Sequence, residues 1–406
     1  METVIVIGGG ASGLMAAITA AEAGSRRVIL LERQQRIARK LLATGNGRCN
    51  LTNTGASLEN YHGEQEGFAA PALSKFTPAQ ALDFFHGLGL LTVTEEGGRV
   101  YPLSDSANSV ADLLRFALDK YGVELRCACP ARAIERREKG YAVITDEGRL
   151  EADYVIVACG GAAGARLGGV MDGYELLKPL GHKRTALRPA LVQLLTAPEY
   201  PRALKGIRAD GELKLLAGGE VLCRGLGEIQ FTENGVSGPA AFDISRSAAR
   251  LGEGGELSIN FFRALSPEEL AALLLRRRET FPRLPASELF TGMLHNRLGR
   301  MLVKYAAIPQ ELPLSGLEEA RLESAARAAT DFKLKLLGTE GFDKAQVTAG
   351  GIKTGGFDPE TLESWFMPGL FVCGELLDVD GDCGGYNLQW AWTTGFLAGK
   401  HAGGNV

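Results

Sequence analysis

TVIVIGGGASGLM occupies residues 3–15 and decides the fold class. The four β-branched residues 4–7 predict a buried parallel strand. The strand gives way to Gly8-x-Gly10-x-x-Gly13, a spacing typical of dinucleotide binding. The first glycine permits a tight turn, the second lets the backbone approach a pyrophosphate, and the third lets helix and strand pack closely. An alanine-rich helix is predicted over residues 15–23, and phosphates would lie at its positive end.

A second apolar strand is predicted at residues 28–31 and ends in Glu32. An acid at about this spacing from the glycines binds a ribose hydroxyl in dinucleotide-binding folds. Because strand, glycines, helix and acid occur in this order, we favour a dinucleotide site over an ordinary strand–turn–helix without a ligand. The expected contacts from this part of the chain are Gly8, Gly10, Ala11, Ser12, Gly13 and Glu32.

Length and composition limit the class of protein. With 406 residues the chain exceeds what one hydrophobic core usually serves, so two or three domains are expected. Hydrophobic residues make up 45% and charged residues 23%, as in soluble globular proteins. No apolar run approaches the ~20 residues of a membrane helix. The net charge of −4 gives no overall attraction to nucleic acid or anionic membranes.

The cysteines and the first residues indicate the compartment. The seven cysteines are odd in number and form no CxxC pair, which predicts reduced thiols and neither a zinc site nor a redox disulfide. The first residues already read as a strand, so we expect no signal peptide. A cytoplasmic location without any bound metal is the resulting expectation.

Residues 33–50 begin with basic side chains and end in a glycine-containing loop that carries Arg48. Backbone N–H groups of such a loop, with Arg and Lys nearby, suit a diphosphate or the polar edge of a cofactor. The alternative is a solvated basic loop without a ligand. The cofactor contacts expected from this segment are Arg33, Lys40, Thr44, Gly45, Arg48, Cys49 and Asn50.

The same segment carries a more specific pattern. KLLATGNGRCNLTN at residues 40–53 resembles the signature of the YhiN/BaiN-like flavoproteins, a family usually described as NAD(P)/FAD-dependent oxidoreductases. Residues 98–104, 347–351 and 374–392 resemble further family motifs, so the resemblance covers essentially the whole chain. It implies bound FAD, a two-dinucleotide-binding type of fold with inserted domains, and redox chemistry on the flavin. Members reduce activated C=C bonds in ribosomal RNA uridine or in unsaturated bile-acid steroids, and one branch oxidises amines.

Later segments complete the expected FAD site. Residues 154–157 predict a buried strand that ends in glycines, as in FAD enzymes. Residues 369–375 predict a final strand ending where FAD folds place the acid that holds the ribityl hydroxyls. Residues 384–389 open a helix, predicted over residues 390–399, whose N–H groups would face the pyrimidine edge of the flavin. By position in such folds, the backbone near Ala133 would dock adenine. The further contacts are Ala133, Cys159, Gly160, Gly374, Glu375, Gly385, Tyr386, Asn387 and Leu388.

The sequence pattern changes in the middle of the chain. Short alternating strands with glycine turns over residues 190–262 predict an antiparallel barrel or sandwich. A capping box at Ser266 then opens a series of helices, predicted at 267–280, 286–306 and 315–329. We therefore predict an α/β protein with three domains. These are a discontinuous Rossmann-like FAD-binding domain (1–189 and 345–406), an inserted β-barrel-like domain (190–265 and 330–344) and a helical subdomain (266–329).

The helical subdomain has a local excess of cations. A phosphate- or RNA-binding face is one interpretation. An ordinary solvated helix surface is favoured, because no interleaved aromatic residues would stack on bases. Glu233 stands where the family pattern usually has histidine, so we name no catalytic histidine. The cations that would contact RNA are Arg276, Arg277, Arg278, Arg297, Arg300 and Lys304.

The leading hypothesis is an FAD-dependent reductase. Flavin reduced by an external donor would pass hydride to a polarised C=C, and a protein acid would protonate the other carbon. Cys383, Tyr386 and Cys49 are candidate proton donors by motif position. No second strand–GxGxxG–helix unit follows the first, so NAD(P)H is expected to bind transiently at the flavin or to be replaced by another donor.

Four alternatives for the activity stay open. The favoured substrate, by a small margin, is uridine in ribosomal RNA, which would give dihydrouridine. An unsaturated bile-acid steroid or another small enone is the second reductase substrate. An amine oxidase that passes electrons to O₂ is a different enzyme class, and an FAD-bound RNA-binding factor would have no enzymatic activity.

Overall fold

The structure is a computed structural model that describes residues 1–22 and 24–404. The chain forms two compact units. The first unit consists of residues 1–188 and 346–406, and the second unit of residues 189–345. The finer division into three domains stays a prediction.

The strands of the first unit have two to six residues, and the second unit contains the longest strands. In chain order they are β1 (Thr3–Ile7), β2 (Arg27–Leu31), β3 (Thr52–Asn53), β4 (Tyr61–His62), β5 (Thr92–Thr94), β6 (Arg99–Pro102), β7 (Glu124–Arg126), β8 (Ala131–Arg136), β9 (Tyr141–Thr145), β10 (Gly148–Ala152), β11 (Tyr154–Val157), β12 (Arg188–Ala190), β13 (Leu194–Thr196), β14 (Arg208–Ala217), β15 (Glu220–Phe231), β16 (Gly235–Ser237), β17 (Glu256–Asn260), β18 (Phe332–Thr339), β19 (Val347–Ala349), β20 (Leu370–Val372) and β21 (Asp380–Gly381).

The α-helices are distributed over both units. In chain order they are α1 (Ala11–Glu22), α2 (Arg39–Ala43), α3 (Ala69–Lys75), α4 (Pro78–Gly87), α5 (Ala107–Lys120), α6 (Asp172–Leu177), α7 (Glu199–Leu204), α8 (Pro239–Leu251), α9 (Pro267–Thr280), α10 (Asn296–Tyr305), α11 (Glu319–Thr330) and α12 (Tyr386–Gly403).

A five-stranded parallel sheet forms the centre of the first unit, in the order β20-β11-β1-β2-β7. Its central strand β1 pairs with β11 and β2 on either side, with Val4 opposite both Tyr154 and Val28. The apolar run of β1 is buried on both faces, as expected for a parallel strand covered by helices. The predicted Rossmann-like α/β fold is therefore confirmed in its central sheet.

Helices α1 and α12 of the first unit pack through glycines. A Cβ atom at Gly395 would lie 2.3 Å from the Ser12 carbonyl oxygen, and one at Gly399 would lie 2.4 Å from the Ala16 carbonyl oxygen. Glycines at this four-residue spacing let the backbones of α1 and α12 approach closely. This contact holds the C-terminal helix against the helix of the glycine loop.

Two helices of the first unit begin earlier than predicted. Helix α1 begins at Ala11 and not at residue 15, because Gly13 belongs to its first turn. Gly13 is therefore itself helical. A Cβ at this position would lie 1.8 Å from the Gly8 carbonyl oxygen, so only glycine fits there. The predicted end at Ala23 lies outside the described residues. Helix α12 begins at Tyr386, four residues before the expected start.

The second unit contains a closed antiparallel barrel in the order β13-β16-β15-β14-β17-β18, which confirms the predicted barrel. Helix α9 begins after the Ser266 capping box as expected. The helix predicted over 286–306 is wrong in its first half. Residues 286–288 form a single 3₁₀ turn, Gly292 has φ +81°, and α10 begins only at Asn296. A left-handed residue interrupts a helix, and periodicity alone does not reveal it.

Candidate functional site

The glycine loop lies between β1 and α1 and has the shape of a phosphate cradle. Gly8 has φ +112°, and a Cβ at Gly10 would meet no heavy atom within 4 Å, so the backbone there faces open space. The first intrahelical bond runs from Leu14 N to Gly10 O, at 2.9 Å. The N–H groups before Leu14, which include those of Ala11 and Ser12, therefore have no acceptor within the helix. These features fit a bound pyrophosphate.

Glu32 joins the glycine loop to the end of β2. It is buried, with a relative exposure of 9%, and its Oε2 atom accepts a hydrogen bond from Gly9 N at 2.8 Å. Its Oε1 atom accepts another from Gln34 N at 2.7 Å. Each oxygen retains a second lone pair, so the carboxylate can still accept from ribose hydroxyls. The neighbouring Arg33 is exposed.

Lys40 and Glu375, predicted to bind the same cofactor, form an ion pair. Lys40 Nζ lies 2.5 Å from Glu375 Oε2, and both side chains are largely buried. The other carboxylate oxygen of Glu375 accepts from Thr348 N at 2.8 Å. A Cβ at Gly161 would lie 2.8 Å from Glu375 Oε1, which places the glycines after β11 beside this pair. The ribityl role of Glu375 stays a prediction.

A buried hydroxyl beside Glu375 lacks a partner. Among the described residues, the Tyr174 hydroxyl oxygen makes no hydrogen bond, although Tyr174 is only 2% exposed. Burial raises the pKa of Tyr174, and the nearby Glu375 charge raises it further. A buried polar atom without a partner is costly. A polar ligand group bound beside Glu375 would supply the missing partner, so the site fits a polar cofactor chain.

Cys159 and Gly160 follow β11, which runs beside β1. The Cys159 thiol donates to the Ile7 carbonyl oxygen at 3.7 Å, and burial raises its pKa to about 12, as for a packed residue. Gly160 has φ +71° and faces open space. Ala133 lies on β8, next to a register irregularity of the β8–β9 pair. The contacts of these residues with a cofactor stay predictions.

The loop containing Thr44, Gly45 and Asn50 packs against the start of α12. A Cβ at Gly45 would lie 2.8 Å from Asn50 N. Asn53 Nδ2 donates to the Gly384 carbonyl oxygen at 3.0 Å. A Cβ at Gly385, which has φ +100°, would lie 2.6 Å from the Thr52 carbonyl. The structure thus brings together two predicted motifs that are more than 300 residues apart.

The Asn387 side chain connects the first turn of α12 to the backbone of Gly381. Asn387 Oδ1 accepts from Gly381 N at 2.9 Å, and its Nδ2 donates to Gly381 O at 2.7 Å. Intrahelical bonding begins with Gln389 N donating to Gly385 O at 3.0 Å. The start of α12, where Leu388 is half-buried, therefore offers the positive helix end to an anion. This arrangement fits the polar edge of a flavin.

Arg48 is engaged with acids of the protein itself. Its guanidinium pairs with Glu95 at 2.6 Å and with Asp105, and it stacks on the Tyr101 ring at 4.0 Å from the centroid. Hydrogen bonds to both acids raise the pKa of Arg48. A phosphate would have to compete with two carboxylates for this side chain, and its contact with the cofactor stays a prediction.

The three predicted proton donors have different environments. Cys49 is fully buried, and burial raises the pKa of its thiol to about 12. Cys383 lies in the loop that leads into α12, Tyr386 is the first residue of that helix, and both are half-buried. The carbonyl oxygen of Tyr386 accepts from the Tyr61 hydroxyl at 3.1 Å. Cys383 and Tyr386 therefore lie close together at the start of α12, whereas the Cys49 thiol has no access to solvent.

His62, which no sequence motif indicates, lies beside the loop that leads into α12. Its Nε2 atom is 2.7 Å from Asp382 Oδ1. The two residues are brought together by the antiparallel pairing of β4 with β21. No local motif marks His62, because its partners lie about 320 residues later in the chain. Only the pairing of two very short strands could have revealed it.

The basic residues of the second unit are partly engaged. Arg278 Nη1 donates to Leu317 O at 2.8 Å, Arg297 donates to Ala203 O, and Arg300 pairs with Glu288 at 2.8 Å. Arg277 lies 5.8 Å from the Phe281 ring centroid. Arg276 and Lys304 are exposed. Glu233 is also exposed and pairs with Lys205 at 2.9 Å.

Residues 1–22 and 24–404 contain no group of three or more His, Cys, Asp or Glu side chains that could hold a metal ion. In that same part of the chain, no helix has the length and apolar character needed to cross a bilayer.

The parallel sheet, the glycine loop and the buried acid define a Rossmann-like dinucleotide-binding protein. Residues 2–401 match the family described as HI0933-like protein Rossmann domain, and the chain belongs to this family. It is 41% identical over 406 residues to the 3-dehydro-bile acid delta(4,6)-reductase of Clostridium scindens, covering 99% of each chain. It is 30% identical over 399 residues to the ribosomal RNA dihydrouridine synthase of Escherichia coli K12, covering 98% of this chain and 96% of that protein.

One similar solved structure is the 3-ketosteroid delta1-dehydrogenase of Sterolibacterium denitrificans. The TM-score is 0.50 and the identity 14%, with both chains covered completely, so the likeness concerns the fold alone. The predictions of the family, the Rossmann-like fold and the oxidoreductase class are confirmed.

Proposed function

We propose that the protein is an FAD-dependent reductase of a C=C bond conjugated to a carbonyl group. The main observation that supports this proposal is that four features lie in one compact unit. They are the glycine loop, Glu32, the Lys40–Glu375 pair and the start of α12. They follow one another in the order in which a dinucleotide–flavin cofactor would need them. Bound FAD would supply hydride transfer to the substrate carbon.

Different residues of this chain would bind different parts of the cofactor. The N–H groups at the start of α1 would bind the pyrophosphate, and Glu32 would bind the adenosine ribose. Glu375 would bind the ribityl hydroxyls, and the Lys40 ammonium limits the cost of burying that carboxylate. The positive end of α12 would stabilise negative charge on the pyrimidine edge of the flavin.

For the substrate we propose a small steroid-class enone. The bile-acid reductase of Clostridium scindens supports this choice, since it is 41% identical over essentially the whole length of both proteins. Uridine in ribosomal RNA, which the sequence slightly favours, is the second candidate, supported by the 30% identical Escherichia coli enzyme. Against an RNA partner, three of the six cations expected to contact it are engaged by protein groups.

For the electron donor we propose NAD(P)H that binds transiently. The sequence contains one strand–GxGxxG–helix unit, which the proposal assigns to FAD, so a nicotinamide would have to reach the flavin without a resident domain of its own. We also propose a cytoplasmic location, supported by the seven cysteines, all of which are free thiols in the structure.

Anaerobic stopped-flow absorbance of the yellow holoprotein tests the proposal. NADH or NADPH should bleach the flavin, and a 3-oxochola-4,6-dienoic acid should restore its absorbance without O₂. Reoxidation by a ribosomal RNA transcript alone, with loss of dihydrouridine from the rRNA of a deletion strain, would move the assignment to RNA. Bleaching by an amine followed by reoxidation by O₂ would contradict the reductase. A holoprotein that reacts with none of these reagents would favour a non-enzymatic role.

A further inference from the structure

His62 is placed by a short antiparallel strand pair. In the pairing of β4 with β21, His62 lies opposite Asp380 and Tyr61 lies opposite Gly381. Directly after β21, Asp382 N donates to the Asn60 carbonyl oxygen at 3.0 Å. Backbone pairing, and not chance surface contact, therefore brings the imidazole to the Asp382 carboxylate.

The two side chains form a defined dyad. His62 Nε2 lies 2.7 Å from Asp382 Oδ1, and Asn60 Nδ2 donates to the other carboxylate oxygen at 3.2 Å. The carboxylate fixes the orientation of the ring. In the described part of the chain, Nδ1 of His62 makes no hydrogen bond. The His62 side chain is 36% exposed, so water can return a proton to it.

The dyad is firmly connected to the start of α12. Asp382 directly precedes Cys383, and Asn387 Nδ2 donates to the Asp382 carbonyl oxygen at 3.3 Å. The Tyr61 hydroxyl donates to the Tyr386 carbonyl oxygen, and the two rings meet edge to face with centroids 6.3 Å apart. The imidazole of β4 therefore lies beside the loop that the proposed function places at the polar edge of the flavin.

Other titratable groups near His62 come from three segments. Asp380 is its register partner on β21. Tyr61 precedes it on β4, and Tyr386 packs on Tyr61 from α12. Glu64 follows two residues later and pairs with Lys353 at 3.1 Å. Among these groups, the imidazole is the one whose usual titration lies between pH 5 and 8, the range in which a general acid works best.

We propose that His62, oriented by Asp382, is the proton donor of the reductase reaction; this inference rests on the proposed function. One carbon of the C=C bond receives a hydride, which carries two electrons and one hydrogen. The π electrons form the new C–H bond at the other carbon, with the proton from His62 Nδ1. The substrate thus gains two electrons and two hydrogens, and NAD(P)H, the class of donor, loses two electrons.

The test separates proton donation from loop structure. His62→Gln keeps an N–H that can donate to Asp382 but carries no transferable proton. The flavin of each holoprotein is reduced with dithionite, and its reoxidation by 3-oxochola-4,6-dienoic acid is followed from pH 5.5 to 9. We expect the wild-type rate to fall as pH rises, because the active form is protonated. His62→Gln should be about 10²–10⁴-fold slower at pH 6 and nearly independent of pH.

Two further variants control the experiment. Asp382→Asn should keep the imidazole but lower the rate, because the ring loses the carboxylate that orients it. His86→Gln is the matched control, since His86 is an exposed histidine of the same unit whose ring nitrogen hydrogen-bonds Thr92 Oγ1 at 2.9 Å. It should keep the wild-type rate and profile. Flavin absorbance and circular dichroism verify that each variant is folded and loaded.

The outcomes distinguish failure of the His62 inference from failure of the proposed function. If the wild-type protein is reoxidised by the dienone and folded, loaded His62→Gln keeps its rate and pH profile, His62 is not the proton donor, while the proposed function stands. If His62→Gln is slower than the wild type by the same factor at every pH, the dyad has a structural role in the loop. That result would also contradict the inference. A wild-type protein that does not reduce the dienone contradicts the proposed function itself, and the inference falls with it.

Discussion

The Glu32 carboxylate accepts backbone hydrogen bonds from Gly9 at 2.8 Å and from Gln34 at 2.7 Å, which fix the glycine loop to the end of β2. Sequence spacing predicts the acid at this place but does not reveal that it also organises the loop. The proposed ribose contact would use the same two oxygens, so replacing Glu32 should act on the loop and on that contact together.

The first prediction concerns this residue. In Glu32→Gln the side-chain amide keeps one acceptor oxygen, so one of the two backbone N–H groups loses its partner. The lost hydrogen bonds should weaken FAD binding by about 1–3 kcal/mol, which corresponds to a rise of roughly 5- to 150-fold in Kd. Dialysis followed by flavin absorbance measures retention. Glu59→Gln, at an exposed position, is the control, and equal flavin retention in both variants would remove Glu32 from the site.

His182 gives a second prediction at the residue scale. It is 4% exposed and stacks between Phe357 and Phe366, each 4.5 Å from its ring centroid, and burial lowers its pKa from 6.5 to about 4. The unfolded chain therefore binds the proton more readily. Stability from this residue is complete above about pH 6.5 and is lost as pH falls towards 4, by up to ~3 kcal/mol.

Urea unfolding at pH 7 and pH 5 measures this effect. The free energy of unfolding of the wild-type protein should fall between the two values by more than that of His182→Phe, which has no titrating ring at this place. A variant with the same pH dependence as the wild type would show that His182 is not the source.

At the scale of elements, the glycines of α12 are a close-packing device. A Cβ at Gly399 would lie 2.4 Å from the Ala16 carbonyl oxygen and 2.9 Å from its Cα atom. These are backbone atoms, which cannot rotate away. Gly399→Ala must separate α1 from α12 and should lower the free energy of unfolding by about 1–3 kcal/mol or more.

Gly87→Ala is the matched control for this prediction. Gly87 ends α4, and an added Cβ meets no heavy atom within 4 Å. This change should leave stability equal or raise it by up to ~1 kcal/mol, since alanine restricts the unfolded chain. Thermal unfolding of both variants checks the pair. A destabilised Gly87→Ala together with an unaffected Gly399→Ala would contradict the packing argument.

Elements with strong local signals were predictable, and those set by distant contacts were not. The β-branched run of β1 and the capping box of α9 can each be recognised from a few consecutive residues. The break before α10 depends on the left-handed Gly292, which apolar periodicity does not reveal. The His62–Asp382 contact depends on the pairing of two-residue strands, so neither residue carries a local mark.

At the scale of the whole molecule, the sequence indicates the order of the cofactor motifs but leaves the substrate open. The Lys40–Glu375 pair and the packing of residues 50–53 on the start of α12 agree with motifs expected at one cofactor. Substrate choice depends on surface properties that no motif encodes. Net charge is −4, and the basic residues of the second unit are only partly available.

The last prediction uses salt to separate the two reductase substrates. An apolar enone needs no phosphate contact, so KM for 3-oxochola-4,6-dienoic acid should change less than twofold between 50 and 200 mM KCl. RNA held by three phosphate contacts would have a salt slope near −2, so its affinity would fall about 20-fold over this range. Arg276→Ala with Lys304→Ala removes two exposed cations and should leave dienone reduction unchanged. Slow, salt-sensitive turnover of RNA that weakens further in this double variant would instead place the substrate on the basic surface of the second unit.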